Sequence, residues 1–185
     1  EKNYDAFLDI LLESFKGAKW GDPMDPETTL APLSSAGAKE DVLAQIKLAV
    51  DNGAKVLYGN EPIDHPGNFV MQTILTDISK DNPIFNQEIF GPVASVYKVA
   101  TEEEAIELAN DSSYGLGGTV FGTDIDRVHE VAAQIETGMS FINSGWASLP
   151  ELPFGGIKNS GYGRELSELG FTAFVNEHLV YTPKK

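Results

Sequence analysis

The sequence predicts an α/β fold, and three observations carry that expectation. A beat of strand, helix, strand, helix, strand runs from Val93 onward, two amphipathic helical stripes precede it, and glycine- and proline-containing turns separate the elements. Phe7, Leu8, Leu11, Leu12 and Phe15 fall at i, i+1, i+4, i+5 and i+8, one face of a helix that should stop near Gly17. Asp22-Pro23-Met24-Asp25-Pro26 reads as a surface turn, because proline cannot donate the N–H that would continue a helix. Val42, Leu43, Ile46, Ala49 and Val50 predict a second helix closed by Asn52-Gly53, and Ala54 to Tyr58 a short strand.

Val93 to Val99 is rich in β-branched residues and reads as a strand. Thr101 and Glu104 form a capping box that opens a helix burying Ala105, Leu108 and Ala109. Tyr114 to Gly118 leads into a strand from Thr119 to Phe121. A helix from about Asp124, with Ile125, Val128, Ala132 and Ile135 on one face, ends near Gly138 before a strand through Phe141 and Ile142. Such alternation is the signature of parallel strands linked by helical crossovers. From Ser144 to Gly163 the chain becomes loop-rich, and its aromatics Trp146, Phe154 and Tyr162 argue for an ordered, functional loop. Thr172 to Tyr181 is β-like and predicts an edge strand that another subunit could complete.

Composition narrows the chemistry. The 185 residues carry a formal net charge of −15, which disfavours nucleic acid as a partner, and no basic cluster offsets it. No apolar run is long enough for a membrane span, and no leader peptide is visible in what is shown, so a cytoplasmic location is the default expectation. The absence of Cys removes thiol catalysis and thiolate metal sites from anything these residues do alone. His65, His129 and His178 stand far apart, so no metal site is expected. Gly156 to Gly161 fails as a phosphate loop, since Tyr162 and Gly163 stand where Lys and Ser or Thr are required. Gly115-Leu116-Gly117-Gly118 lacks the third glycine of a dinucleotide fingerprint and precedes a strand instead of a helix.

Gln87-Glu88-Ile89-Phe90-Gly91-Pro92 is more informative, because it places a carboxylate and a ring just before a strand, where α/β proteins bind ligands. Glu88 could accept hydrogen bonds from vicinal ribose hydroxyls, and Phe90 could offer a flat apolar wall to a ring. A solvated turn acid beside a core phenylalanine is the competing reading of these six residues.

A longer pattern decides. Glu88-Ile-Phe-Gly-Pro92, the run AIELANDSSYGLG from Ala105 to Gly117, Phe141-Ile-Asn143, and PFGGIKNSGYGRE from Pro153 to Glu165 together resemble the NAD(P)-dependent aldehyde dehydrogenase superfamily, across essentially the whole chain. The stretch from Pro150 to Leu166 is most similar to its succinate-semialdehyde dehydrogenase branch. The resemblance implies a parallel-sheet, three-layer catalytic domain, incomplete at its N-terminus: 1–165 a catalytic-domain segment, 166–185 a tail with an oligomerisation strand. In this family a Cys nucleophile forms a thiohemiacetal, hydride passes to NAD or NADP, and a Glu-activated water releases the acid. Both residues and the Rossmann domain would lie upstream, so no catalytic residue is expected in this chain, and alone it should be inactive.

The resemblance assigns Glu88 to the nicotinamide ribose and Phe90 to the nicotinamide ring. Asn143 to Phe154 matches the loop that admits the aldehyde, making Trp146, Ser148 and Phe154 the candidate substrate-binding residues, with Ser148 placed to meet the distal carboxylate of succinate semialdehyde. Lys158, Arg164 and Glu165 are expected to order the glycine-rich loop by hydrogen bonds. Gln72 departs from the family, which usually has Pro there, and this puts local loop rigidity in question. The expected partners are the small aldehyde and further copies of the chain, as dimer or tetramer. A Cys-free binding or assembly module of the same fold is the alternative; a Cys-bearing coding sequence continuous with Glu1 would exclude it.

Overall fold

The computed structural model describes residues 1–184 and divides the chain into two units, one from Glu1 to Thr101 and one from Glu102 onward. In the first unit, helix α1 (Tyr4–Gly17) keeps Leu8, Leu11, Leu12 and Phe15 half-buried and leaves Phe7 exposed, a stripe narrower than the sequence suggests. Helix α2 (Ala36–Asp51) begins where the Ser35 hydroxyl accepts the Ala38 N–H at 3.1 Å, a cap that satisfies one of the orphan donors of the first turn. Val42, Ile46 and Ala49 turn inward and pack with Ala54, Val70, Leu75, Ile78 and Ile84.

Strands β1 (Lys55–Tyr58), β2 (Thr73–Thr76) and β3 (Val93–Ser95) form one sheet in the order 1-2-3, antiparallel between β1 and β2 and parallel between β2 and β3. The central strand β2 is buried at all four positions. The expected strand Val93–Val99 is shorter because its partner ends: Val96 N–H still reaches Leu75 O at 2.9 Å, but β2 stops at Thr76 and Asp77 turns away with φ +56°. Behind this sheet edge Phe85 meets Tyr97 edge to face at 5.6 Å, and burial raises the pKa of the Tyr97 phenol.

Buried Asn82 closes the C-terminal end of α2, donating from Nδ2 to Ala49 O at 2.9 Å and to Asn52 O at 3.2 Å while Oδ1 accepts the Ile84 N–H at 3.2 Å. Gln72 makes a similar tie at the end of α1. Its Nε2 donates to Phe15 O at 2.7 Å and to Ala18 O at 3.4 Å. The segment that the sequence left in question is thus tethered by the departing residue itself.

The second unit contains α3 (Glu102–Asn110), β4 (Tyr114–Gly115), β5 (Gly117–Val120), α4 (Ile125–Ala132), β6 (Met139–Ile142), β7 (Ile157–Lys158) and a 3₁₀ helix (Glu168–Phe174). The expected crossover is present: β5 pairs in parallel with β6, from Gly117 opposite Met139 to Val120 opposite Ile142, with α4 between them. Asp124 caps α4 by accepting the Arg127 N–H at 3.1 Å, and Arg127 then pairs with Glu130 and Glu102, which raises the pKa of its guanidinium. Val128 and Ala132 are buried as expected, whereas Ile125 is 50% exposed and Ala109 of α3 is exposed. Helix α4 ends before Ile135 because the chain tightens there into i→i+3 bonds, Gln134 N–H to Val131 O and Ile135 N–H to Ala132 O.

Two elements differ from expectation. The glycine-rich loop carries its own strand β7, antiparallel to β4, so the fold mixes parallel and antiparallel pairs. The stretch expected to be β-like from Thr172 starts inside the 3₁₀ helix, and no strand forms over 175–184. Val175 already has extended backbone angles, so the tail has strand geometry at that point without a ladder to join.

Candidate functional site

The turn that carries Glu88 and Phe90 is held from inside the first unit. Ile89 packs against the core while both neighbours point outward. Gly91 N–H bonds Ile89 O at 2.9 Å and Val93 N–H bonds Gly91 O at 2.7 Å, two successive tight turns. A side chain is impossible at residue 91 without movement, since an added Cβ would lie 2.8 Å from Val42 Cγ2 on α2. From the same helix, Gln45 Nε2 donates to Glu88 O at 3.0 Å and to Gln87 Oε1 at 3.2 Å. Pro92 O accepts the Thr73 N–H at 2.9 Å and ties the turn to β2.

On this fixed frame the Phe90 ring is 79% exposed, which removes it from the core and excludes the competing reading of that residue. The Glu88 side chain is likewise exposed. A free acceptor and a bare ring, set two residues apart on a stiff backbone, suit a ligand that offers hydroxyls and a flat heterocycle. This acceptor and ring therefore fit a nucleotide cofactor of the kind the resemblance implies.

In the second unit, the loop after β6 is pinned at its root by Asn143. Its backbone adopts φ +50°, a left-handed conformation that asparagine tolerates, and its amide clamps Gly122 from both sides: Oδ1 accepts the Gly122 N–H and Nδ2 donates to Gly122 O, each at 2.8 Å. At the far end, Phe154 and Glu165 exchange backbone hydrogen bonds of 2.8 and 2.7 Å. Between these pins, Ser148, Leu152 and Phe154 face Met139, Ser140 and Phe141 across a cavity of about 200 Å³. Two of the three candidate substrate residues thus share one cavity. Trp146 sits elsewhere on the same loop, its indole stacked on Phe141 with ring centres 6.5 Å apart and planes 23° apart.

The glycine-rich loop is ordered as the sequence suggests. Lys158 Nζ donates to Asn110 O at 2.9 Å and Ser112 O at 3.1 Å and pairs with Glu136 at 2.7 Å. Arg164 Nη1 donates to Gly156 O at 2.9 Å and Gly163 O at 2.6 Å. Glu165 contributes through its backbone. Among the described residues no group of three His, Asp or Glu is placed to hold a metal ion, and no helix is long and apolar enough to cross a membrane. The sequence did not reveal Gln45 or the Asn143 clamp. Only the proximity of Asn143 to the loop, and the tolerance of asparagine for positive φ, could have pointed to the latter.

A family model described as the aldehyde dehydrogenase family matches residues 1–180. The chain is 50% identical over 177 residues to a succinate-semialdehyde dehydrogenase [NADP(+)] of Deinococcus radiodurans, covering 96% of this chain and 37% of that protein. A crystal structure of succinic semialdehyde dehydrogenase from Streptococcus pyogenes, in complex with NADP+ as the cofactor, superposes with a TM-score of 0.97 at 71% identity over 100% of this chain and 40% of that one. An apo betaine aldehyde dehydrogenase of Staphylococcus aureus superposes at 0.89 with 34% identity, covering 94% and 36%. The chain thus spans roughly two fifths of the length of the proteins it matches.

Proposed function

Since the chain belongs to the aldehyde dehydrogenase family, we propose that it is the C-terminal part of the catalytic domain of an NADP-dependent enzyme that oxidises succinate semialdehyde to succinate. Support comes from the resemblance to enzymes of that name at 50% and 71% identity. The observation that carries the substrate is the cavity that brings Ser148 and Phe154 together under Phe141. The cofactor accepts the hydride when bound. Every other contribution of these residues is positional.

Glu88 holds the ribose next to the nicotinamide through its unpaired carboxylate, and Phe90 limits the swing of the ring. Hydride transfer needs donor and acceptor carbons near van der Waals contact, so fixing the ring raises the fraction of productive encounters. Ser148 donates a hydrogen bond to the carboxylate at the far end of the substrate, while Phe154 excludes water beside the chain of the aldehyde. A nucleophile and a base outside these 185 residues complete the chemistry. The segment 1–165 belongs to the catalytic domain. The tail that follows, with exposed Leu179, Val180 and Tyr181, joins copies of the enzyme into an oligomer.

Ser148→Ala in the full-length enzyme tests the substrate. Loss of one hydrogen bond to a charged group, about 1.5 kcal/mol, should raise KM for succinate semialdehyde about tenfold. A neutral aldehyde of similar length should be affected by less than about twofold. Equal effects on both would remove the carboxylate contact.

A further inference from the structure

We propose that Trp146 is a positioning residue, its indole seated on Gly117 and Phe141 so that the loop presents Ser148 and Phe154 to the cavity. This rests on the proposed aldehyde reaction for its functional meaning and on packing alone for its geometry. Side chains alternate along a strand, and in the parallel register Gly117 lies opposite Met139 while Thr119 lies opposite Phe141. Gly117, Met139 and Phe141 therefore share one face of the β5–β6 pair. Met139 and Phe141 line the cavity; Gly117 leaves a gap beside them.

The indole fills that gap. A Cβ added at residue 117 would meet Trp146 Cζ2 at 3.0 Å and Cε2 at 3.3 Å, both tighter than ordinary carbon contacts, with Cη2 at 3.4 Å. The backbone at Gly117 has no positive φ, so the requirement for glycine there is contact with the indole and not conformation. By comparison, a Cβ at Gly118, one residue on, would find its nearest neighbour at 3.6 Å, an ordinary distance. The glycine run that fails as a nucleotide fingerprint thus has a specific use at one position. Ser148 follows Trp146 by two residues, within roughly 7 Å of chain, so lifting the indole moves the serine.

The test uses the full-length enzyme labelled with 5-fluorotryptophan, with the Trp146 fluorine signal identified by its loss in Trp146→Phe. Gly117→Val should move that signal towards the position of solvated 5-fluorotryptophan, with Gly117→Ala intermediate. Kinetically, Gly117→Val and Trp146→Ala should each raise KM for succinate semialdehyde about tenfold and leave kcat within about twofold, the pattern of binding lost equally in ground and transition states. Trp146→Phe, which keeps a ring on Phe141, should recover most of the difference. An unmoved fluorine signal in Gly117→Val overturns the seat. A rise in KM confined to Trp146→Ala, with Gly117→Val normal, also overturns it and makes the indole a direct substrate contact. If the parent enzyme oxidised no succinate semialdehyde, the proposed reaction would fall, and the fluorine shift would still decide the packing.

Discussion

Replacing Gln72 by Glu isolates the electrostatics of one buried tether, because the two side chains have nearly the same shape. Gln72 is 6% exposed, and its Nε2 donates to Phe15 O at 2.7 Å and more weakly to Ala18 O at 3.4 Å. Its Oε1 is buried with no hydrogen-bond partner among the described residues, so nothing there stabilises a carboxylate. Below the ordinary glutamic acid pKa of about 4.3, the introduced carboxyl is protonated and can still donate to Phe15 O. The variant should then lose only about 1 kcal/mol.

As the pH rises, the unfolded chain releases that proton while the folded state retains it, since burial and the facing carbonyls disfavour the charge. The folded state binds more protons in this window, so stability falls by about 1.36 kcal/mol per pH unit until the raised folded pKa is passed. An elevation of about two to three units, within the range for buried carboxyls, brings the total loss at neutral pH to about 4 kcal/mol. Urea midpoints of parent and variant between pH 5 and pH 8 measure the gap directly. Gln72→Leu, which removes the tether without adding charge, should show a small and pH-independent loss. A gap for Gln72→Glu that stayed flat across this range would refute the buried tether.

Two further outcomes are expected. Lys158→Met removes one cation that serves two carbonyls and Glu136, and should cost about 2 kcal/mol after allowance for solvent screening. Thermal unfolding checks it against Lys47→Met, which breaks only the exposed pair with Asp51; equal shifts would reduce Lys158 to another surface charge. Glu88→Gln in the full-length enzyme should raise KM for NADP+ about tenfold, through the weakening of charge-assisted bonds to the ribose, and leave the melting temperature unchanged. Unaltered cofactor kinetics would take Glu88 out of the site.

The parts of the fold that were legible in the sequence are those whose signal is local. Helix α2 and the β5–α4–β6 crossover follow from periodicities contained within single elements, and their caps at Asn52-Gly53 and Asp124 stand next to them in sequence. Strand β2 escaped because burial on both faces erases alternation: Thr73, Ile74, Leu75 and Thr76 are all buried, so no polar beat marks them. Strand β7 is two residues long inside a glycine-rich loop, and the pairing with β4 that creates it joins residues more than forty positions apart. The tail forms no strand for the opposite reason. Its β-branched and aromatic residues favour extended backbone, but strand formation needs a partner ladder, which these residues do not find within the described chain.

The candidate site shows the same division between what a residue can do and what holds it in place. Glu88, Phe90, Ser148 and Phe154 could be proposed from the sequence because their side chains would carry the proposed chemistry: a carboxylate, two rings and a hydroxyl in loops next to strands. The residues that aim them were not, since their contribution depends on distant partners. Gln45 reaches the Glu88 carbonyl from 43 positions away, and Asn143 clamps Gly122 from 21. Glycines mark three further supports by the room they leave. Val42 occupies the space beside Gly91, Trp146 that beside Gly117, and a Cβ at Gly138 would fall 2.0 Å from Gly155 O, at the start of the glycine-rich loop. Substitution at Gly91 displaces Val42 in the core on which Ile89 packs, and substitution at Gly117 displaces Trp146, so damage to the proposed binding should appear at positions other than the candidate site residues, whereas Gly138 lines the cavity itself.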